Sequence, residues 1–425
     1  MITMMRDMFT STFRREDVLD WARETGALKR LRDIHPADFT HAVAQCAMGD
    51  ETRSIATARR TFFTLTHYMP EESSFYDRFN QGTVELMKAL FNRALEHGPL
   101  EQRTALAEAL KHTDIVDVEA IDGSQITLPA SAKDNFPSTS DAHGGVKLTA
   151  ALSVLFQTIN DVTLTDAKTH DRKALKLPRW MHGLLCLLDR GYADHGLWAT
   201  IENRKGFFLT PLKSSSMPTI CGIRSGVGQK NIGKKLSGDL SYFGEVDVDA
   251  AFNVRKGGKR TFRVVCVPVE RETLAGQTET VFLWFATNLP PEQFSPQQLA
   301  TLYRFRWEVE LMFKALKTVG RLDHLKSANK DVVHTFIYAT LLGMVLTHNI
   351  CALMRRKRID AEPSLFRVFS LLLMFLPQVL SALGSRNINP TLENFETALW
   401  REGVNPNPGR PYRSTMYAEE IRHAS

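Results

Sequence analysis

Polar and apolar positions change rhythm twice along the chain. Up to about residue 112 the apolar positions recur at helical spacing, with Gly26, Pro36 and Met69-Pro70 as breaks. Helices are predicted over residues 15–23, 36–48, 52–64, 71–80 and 83–97. At Asp114 the period shortens to two. Ile115, Val116, Asp117, Val118, Glu119, Ala120, Ile121 and Asp122 alternate as a half-buried strand does, and Asp122-Gly123-Ser124 reads as its terminating turn. Strands are predicted again over 148–156, 162–165, 184–188 and 207–212, with a helix over 197–201. The run Leu184-Leu185-Cys186-Leu187-Leu188 is continuously apolar, the pattern of a strand covered on both faces. It delivers Asp189-Arg190-Gly191-Tyr192 at its carboxyl end. Strands, a helix and carboxylates at strand ends describe an α/β layer.

Residues 213–280 interrupt that layer. Ser, Gly and Lys dominate 214–238, and strands follow at 245–254 and 261–269. The order resumes with an apolar strand over 281–287. Ser295-Pro296 then supplies an N-cap with proline at the first helical position. The helix so started runs on through residues 303–317, and apolar helices follow over 332–354 and 365–383. Residues 335–354 imitate a membrane span, but carry His348 and Asn349 and lead into Arg355-Arg356-Lys357-Arg358. A buried core helix is the expectation, with no membrane partner.

Composition adds little to the fold and something to the partners. The 425 residues suffice for two or three domains, and the apolar and charged shares are those of a soluble globular protein. Net charge is +6 and the pI about 9.0, a balance that admits nucleic acid. Between Arg204 and Arg263 twelve Lys/Arg face four Asp/Glu, a local excess larger than that of the whole chain. Such density suits a surface that follows phosphates. Five scattered cysteines without a C-x-x-C pair argue against a disulfide framework or structural zinc, and fit a reducing cytoplasm. The short N-terminal helices suit either a helix-turn-helix DNA reader or a bundle with a solvated basic face. In the first case residues 73–80 are the recognition segment, with Ser73, Tyr76 and Arg78 available to a groove.

Candidate chemistry gathers around three acids: Asp122, Asp189 and Glu310. An acid directly after five apolar residues, as Asp189 is, needs a partner. Three carboxylates at one edge repel unless a divalent cation joins them, and oxygen-only ligands select Mg²⁺ or Mn²⁺. Two such ions can activate a water or a 3′-hydroxyl and stabilise the leaving oxygen. Tyr303, Arg306, Glu310 and Lys317 are separated by three, four and seven residues. On a continuous helix turning about 100° per residue, Tyr303, Glu310 and Lys317 form one stripe with Arg306 beside it. Arg306 and Glu310 could also be an ordinary ion pair on a solvated helix.

Asp122-Gly123-Ser124, Asp189-Arg190-Gly191-Tyr192 and the Tyr303/Arg306/Glu310/Lys317 set resemble the DDE transposases of bacterial insertion sequences. The specific match is to the group with the Y-x₂-R-x₃-E-x₆-K signature, the IS-four family, over about residues 114–330. The resemblance implies a ribonuclease-H-like core with a β-rich insertion before the helix bearing the last acid. It implies Asp122, Asp189 and Glu310 as the metal-binding catalytic triad, with Mg²⁺ or Mn²⁺ as two ions. Tyr303, Arg306 and Lys317 would hold the DNA backbone. The organisation expected is a helical DNA-binding domain at 1–112 and a catalytic domain at 113–330 with its insertion at about 213–280. A helical region at 331–402 and a poorly ordered tail at 403–425 complete it. The implied activity is cut-and-paste DNA transposition, possible through a hairpin at the transposon end, by a homodimer on terminal inverted repeats and target DNA in the bacterial cytoplasm, at the nucleoid. The alternatives are a structure-specific nuclease of the same fold and an inactive DNA-binding repressor derived from a transposase.

Other motifs are decoys. Residues 228–235 approach a P-loop but lack the Ser/Thr that would hold a metal. A basic loop touching DNA through Lys234 and Lys235 is the expectation. His170 and His195 are expected at turn and helix-start positions, and Trp307 packing its helix onto the sheet.

Overall fold

The computed structural model describes residues 1–49, 53–97, 105–236, 244–254, 257–272, 278–358, 362–383, 388–405, 416–417 and 420–421. Helices come first: α1 (Ile2–Phe13), α2 (Arg15–Glu24), α3 (Pro36–Met48), α4 (Ile55–Thr66), α5 (Glu72–Tyr76), α6 (Gln81–Glu96) and α7 (Ala105–Ala109). The sheet region follows with β1 (Asp117–Leu128), β2 (Gly144–Ser153), β3 (Thr158–Asp166), α8 (Asp171–Ala174), β4 (Leu184–Leu188), α9 (His195–Asn203) and β5 (Phe207–Pro211). Next come β6 (Thr219–Ser225), β7 (Val246–Val254), β8 (Gly258–Glu272) and β9 (Thr278–Thr287). The chain closes with α10 (Pro296–Arg304), α11 (Trp307–Thr318), α12 (Lys330–Lys357), α13 (Leu365–Ala382) and α14 (Ile388–Glu402).

Among the described residues the nine strands form one mixed sheet, in the order β3-β2-β1-β4-β5-β9-β8-β7-β6. β1, β2 and β3 are an antiparallel meander, and β4 and β5 continue it parallel to β1. β9 then joins β5 antiparallel, so the inserted strands β6–β8 extend the same sheet through β9. All five residues of β4 are buried, as its apolar run predicts. Alternation along the strand explains it. Leu185 and Leu187 join a core with the helices, while Leu184, Cys186 and Leu188 join a second core with Trp198, Phe208, Phe252 and Phe262.

The N- and C-terminal helices share one core. α12 lies at its centre, buried along almost its whole length, and packs on α3, α6 and α13. α12 and α13 are both long and apolar enough to cross a membrane, but most of the apolar stretch of α12 is inside the protein. Residues 73–80 contain only the short α5, and Phe75 and Phe79 turn inward to a cluster with Phe39, Phe62 and Phe336. Tyr76 is exposed and Arg78 is half-buried.

Four expectations need correction. Asp122-Gly123-Ser124 does not end the first strand: β2 pairs straight through it, Asp122 opposite Ala150 and Gly123 opposite Thr149. Two polar members of β1, Asp117 and Glu119, are not solvated either. They are 8% and 4% exposed, because both sheet faces are covered. The helix expected through residues 303–317 is broken at Phe305-Arg306, where Phe305 N–H bonds Leu302 O and Arg306 N–H bonds Tyr303 O, both i→i−3. Trp307, as the first residue of α11, is 48% exposed rather than packed on the sheet.

Part of the tail expected to be poorly ordered is docked. Ile421 is buried, its carbonyl accepts from Gln298 Nε2 at 2.9 Å, and Glu420 meets Arg304 at 3.2 Å. Residues 406–415, 418–419 and 422–425 of that tail lie outside the described residues.

Candidate active site

Strand register builds the site. β1 and β4 run parallel with Ile121 opposite Leu188, so the next residues, Asp122 and Asp189, emerge side by side where β4 stops. Alternation sends them the same way. Ile121 and Leu188 face the second core, so Asp122 and Asp189 face the side on which α11 lies. α11 brings Glu310 to that edge, and the break before it makes Arg306 its N-cap residue.

Arg306 ties the acids together. Its Nη1 donates to Asp122 Oδ2 at 3.1 Å and its Nη2 donates to Glu310 Oε1. Its guanidinium also lies over the Tyr303 ring, 5.6 Å from the centroid. Burial pushes the Asp122 carboxyl up to about 6. The Gly123 N–H bond and Arg306 oppose that rise, while the Asp189 and Glu310 charges add to it. Asp189 caps the turn after β4, Oδ2 accepting from Gly191 N–H at 3.4 Å. Burial raises the Tyr303 phenol, which packs on Phe285 at 5.1 Å.

Lys317 stands farther along α11. Its Nζ donates to Gln125 O of β1 at 2.7 Å and lies 3.9 Å from Asp323. The structure therefore brings Asp122, Arg306, Glu310 and Tyr303 into one constellation with Asp189 beside it, and ties Lys317 to the same strand as Asp122. Lys234 and Lys235 are exposed in the loop after a 3-10 turn at Gln229–Asn231, and among the described residues no helix follows as a P-loop requires. His170 and His195 sit at the starts of α8 and α9.

Sequence reasoning missed a neighbouring ion pair. Lys147 Nζ donates to Asp171 Oδ1 at 2.8 Å, and a Cβ on Gly191 would lie 2.8 Å from Asp171 Oδ2 and 3.8 Å from Asp189 Oδ2. The glycine thus lets a further carboxylate approach the turn that holds Asp189. The only signal for it in the sequence is the small residue after Arg190. A cavity of about 560 Å³ adjoins Asp189, lined by Arg190, Lys213, Trp284, Phe285 and Tyr303.

The donor chemistry suits a hard divalent cation: the three acids offer only oxygen, and one is held buried beside the others' charge. In this arrangement Arg306 occupies the place between Asp122 and Glu310. Among the described residues no three His, Cys, Asp or Glu side chains are gathered closely enough to share an ion.

Comparison with known proteins follows the same residues. The family model described as "Transposase DDE domain" matches residues 117–346, which contain all three acids. The chain is 37% identical over 82 residues to the transposase for insertion sequence element IS421 of Escherichia coli, covering 19% of this chain and 21% of that protein. It therefore spans about a fifth of the length of that relative. It is 28% identical over 373 residues to the transposase for insertion sequence element IS231F of Bacillus thuringiensis subsp. israelensis, covering 79% and 77% of the two chains.

Proposed function

This chain belongs to the transposase DDE domain family, and from that premise we propose that it is a DNA transposase which cleaves at transposon ends and joins them to target DNA. The observation that carries this reading is the pair Asp122 and Asp189, side by side on the adjacent parallel strands β1 and β4 where β4 stops, faced by Glu310 from α11. The strand order β3-β2-β1-β4-β5, three antiparallel and two parallel, supports a ribonuclease-H-like core.

In this reading Asp122, Asp189 and Glu310 hold Mg²⁺ or Mn²⁺, as two ions. Bound there, such cations would supply Lewis acidity for phosphodiester cleavage. Arg306, freed from Asp122 and Glu310, turns its fork to a backbone phosphate. Tyr303 orients Arg306 through its ring and closes one side of the cavity beside Asp189. Arg190 and Lys213 line that cavity with positive charge for a displaced strand. The exposed Trp307 indole offers a stacking face for a base. Lys317 extends the backbone grip along α11, Lys234 and Lys235 extend it across the insertion, and Arg78 contributes from the N-terminal helices. The 1–112 helices read the terminal inverted repeat, and a homodimer pairs two ends.

The test uses a plasmid bearing the DNA that flanks the gene. Wild-type protein with Mg²⁺ nicks at the ends and gives joined products. Asp122→Ala, Asp189→Ala and Glu310→Ala each bind the ends and cut nothing. Cleavage retained by any of the three purified variants overturns the assignment. Nicks without joined products favour a nuclease, and end binding by wild type with no metal-dependent nicking favours a repressor.

A further inference from the structure

Arg53 precedes α4 in the N-terminal helices, far in sequence from the acids. It is 3% exposed, and it spends its guanidinium on the end of α11. Nη2 donates to Gly320 O and Nη1 to Arg321 O, the carbonyls that follow the helix and its last turn. Both carbonyls lie just past the C-cap Val319, and Arg321 O also accepts His324 N–H at 3.0 Å; a cation there meets the negative end of the helix dipole. Burial lowers the Arg53 pKa to about 10, which still leaves it charged at neutral pH.

The site it grips has no slack. A Cβ on Gly320 would lie 2.7 Å from Leu316 O and 3.0 Å from Thr340 Cγ2. Arg321 is held at φ 43°, in the left-handed region that favours glycine. On the opposite side, Lys317 Nζ bonds Gln125 O, and Asp323 Oδ1 accepts Thr127 N–H at 3.1 Å. β1 and Arg53 thus pin the same end of α11 from the sheet and from the N-terminal helices. Glu310 lies ten residues before Gly320, roughly 15 Å along the helix axis at its usual rise. A rigid helix carries a shift at one end to the other.

We propose that Arg53 is a positioning residue for Glu310: the N-terminal helices set the placing of the third acid by holding the end of α11. The proposal rests on the transposase reading for its effect on cleavage, but not for the grip itself. If the N-terminal helices engage the transposon end, the same contact makes acid placement depend on how they are seated.

The experiment compares wild type, R53K and R53M as intact chains. Hydrogen exchange of peptides covering residues 305–318 is read against peptides from α12, together with end-DNA Kd and nicking rate at saturating DNA. R53M is expected to raise α11 exchange about tenfold or more while α12 stays protected. Nicking is expected to fall about tenfold or more with Kd within about twofold, since a small misplacement of a reacting group is costly. R53K, which can reach one carbonyl, should fall between, and it carries the test if R53M does not fold. Exchange unchanged in α11, or raised equally in α12, overturns the proposal, as does wild-type nicking in R53M. Absence of nicking by wild type would sink the transposase reading instead, and the exchange comparison would still decide the grip.

Discussion

Glu119→Gln should make the protein more stable, and more so as pH rises. Glu119 is 4% exposed on β1; Oε1 accepts from Asn160 Nδ2 at 2.9 Å, and Oε2 is buried without a partner. Burial pushes its carboxyl from 4.5 to about 7; the Asn160 bond opposes the rise, and the charges of Asp117 and Asp161 add to it. The folded state therefore keeps a proton that the unfolded state has released between about pH 4.5 and 7. Stability from this group is full below that window and is lost as pH rises through it. The rise from 4.5 to about 7 corresponds to about 3 kcal/mol at pH 8.5 and under about 1 kcal/mol at pH 5. Glutamine keeps the acceptor for Asn160 and never charges, so it removes that loss. Urea unfolding followed by circular dichroism at both pH values measures it. A midpoint gain for E119Q that is large at pH 8.5 and small at pH 5 is expected. A variant no more stable than wild type at pH 8.5 would refute the reasoning.

Arg306→Met leaves Asp122 and Glu310 without their shared cation, so in EDTA the melting midpoint should fall, by roughly 1–3 kcal/mol of stability. An unchanged midpoint would mean that Arg306 does not balance those acids. Lys317→Ala should weaken end binding and flatten the log–log salt dependence by about one unit if Nζ reaches a phosphate. A slope equal to that of wild type would assign Lys317 to Gln125 alone.

The sheet was legible where burial on both faces left a local signature. Leu184–Leu188 is a strand because five apolar residues in a row suit nothing else so short, and Asp189 after it stood out for the same reason. Ser295 caps α10 with Gln298 completing the box, a signal contained within four residues. Local chemistry failed where a neighbour decides. Asp-Gly favours a turn, but β2 supplies a ladder across Asp122 and Gly123, and the strand continues to Leu128. The spacing from Tyr303 to Lys317 could not reveal the break at Phe305, because tightening two hydrogen bonds by one residue leaves sequence spacing unchanged. Asp171 and Arg53 were invisible for a plainer reason. Their partners lie 24 and more than 260 residues away, and nothing in a single sequence marks such a contact.

The seam between β5 and β9 bears on any attempt to trim this protein. Leu209, Thr210 and Pro211 face Thr287, Ala286 and Phe285, and β9 is in turn stitched to β8 over ten residue pairs. A chain shortened to remove residues 213–287 would leave β5 as a bare edge next to the buried β4. Such an edge, with Phe208 and Leu209 on it, recruits strands from other molecules. The shortened protein is expected to aggregate on expression, because β9, backed by β8, is the hem of the sheet beside β5.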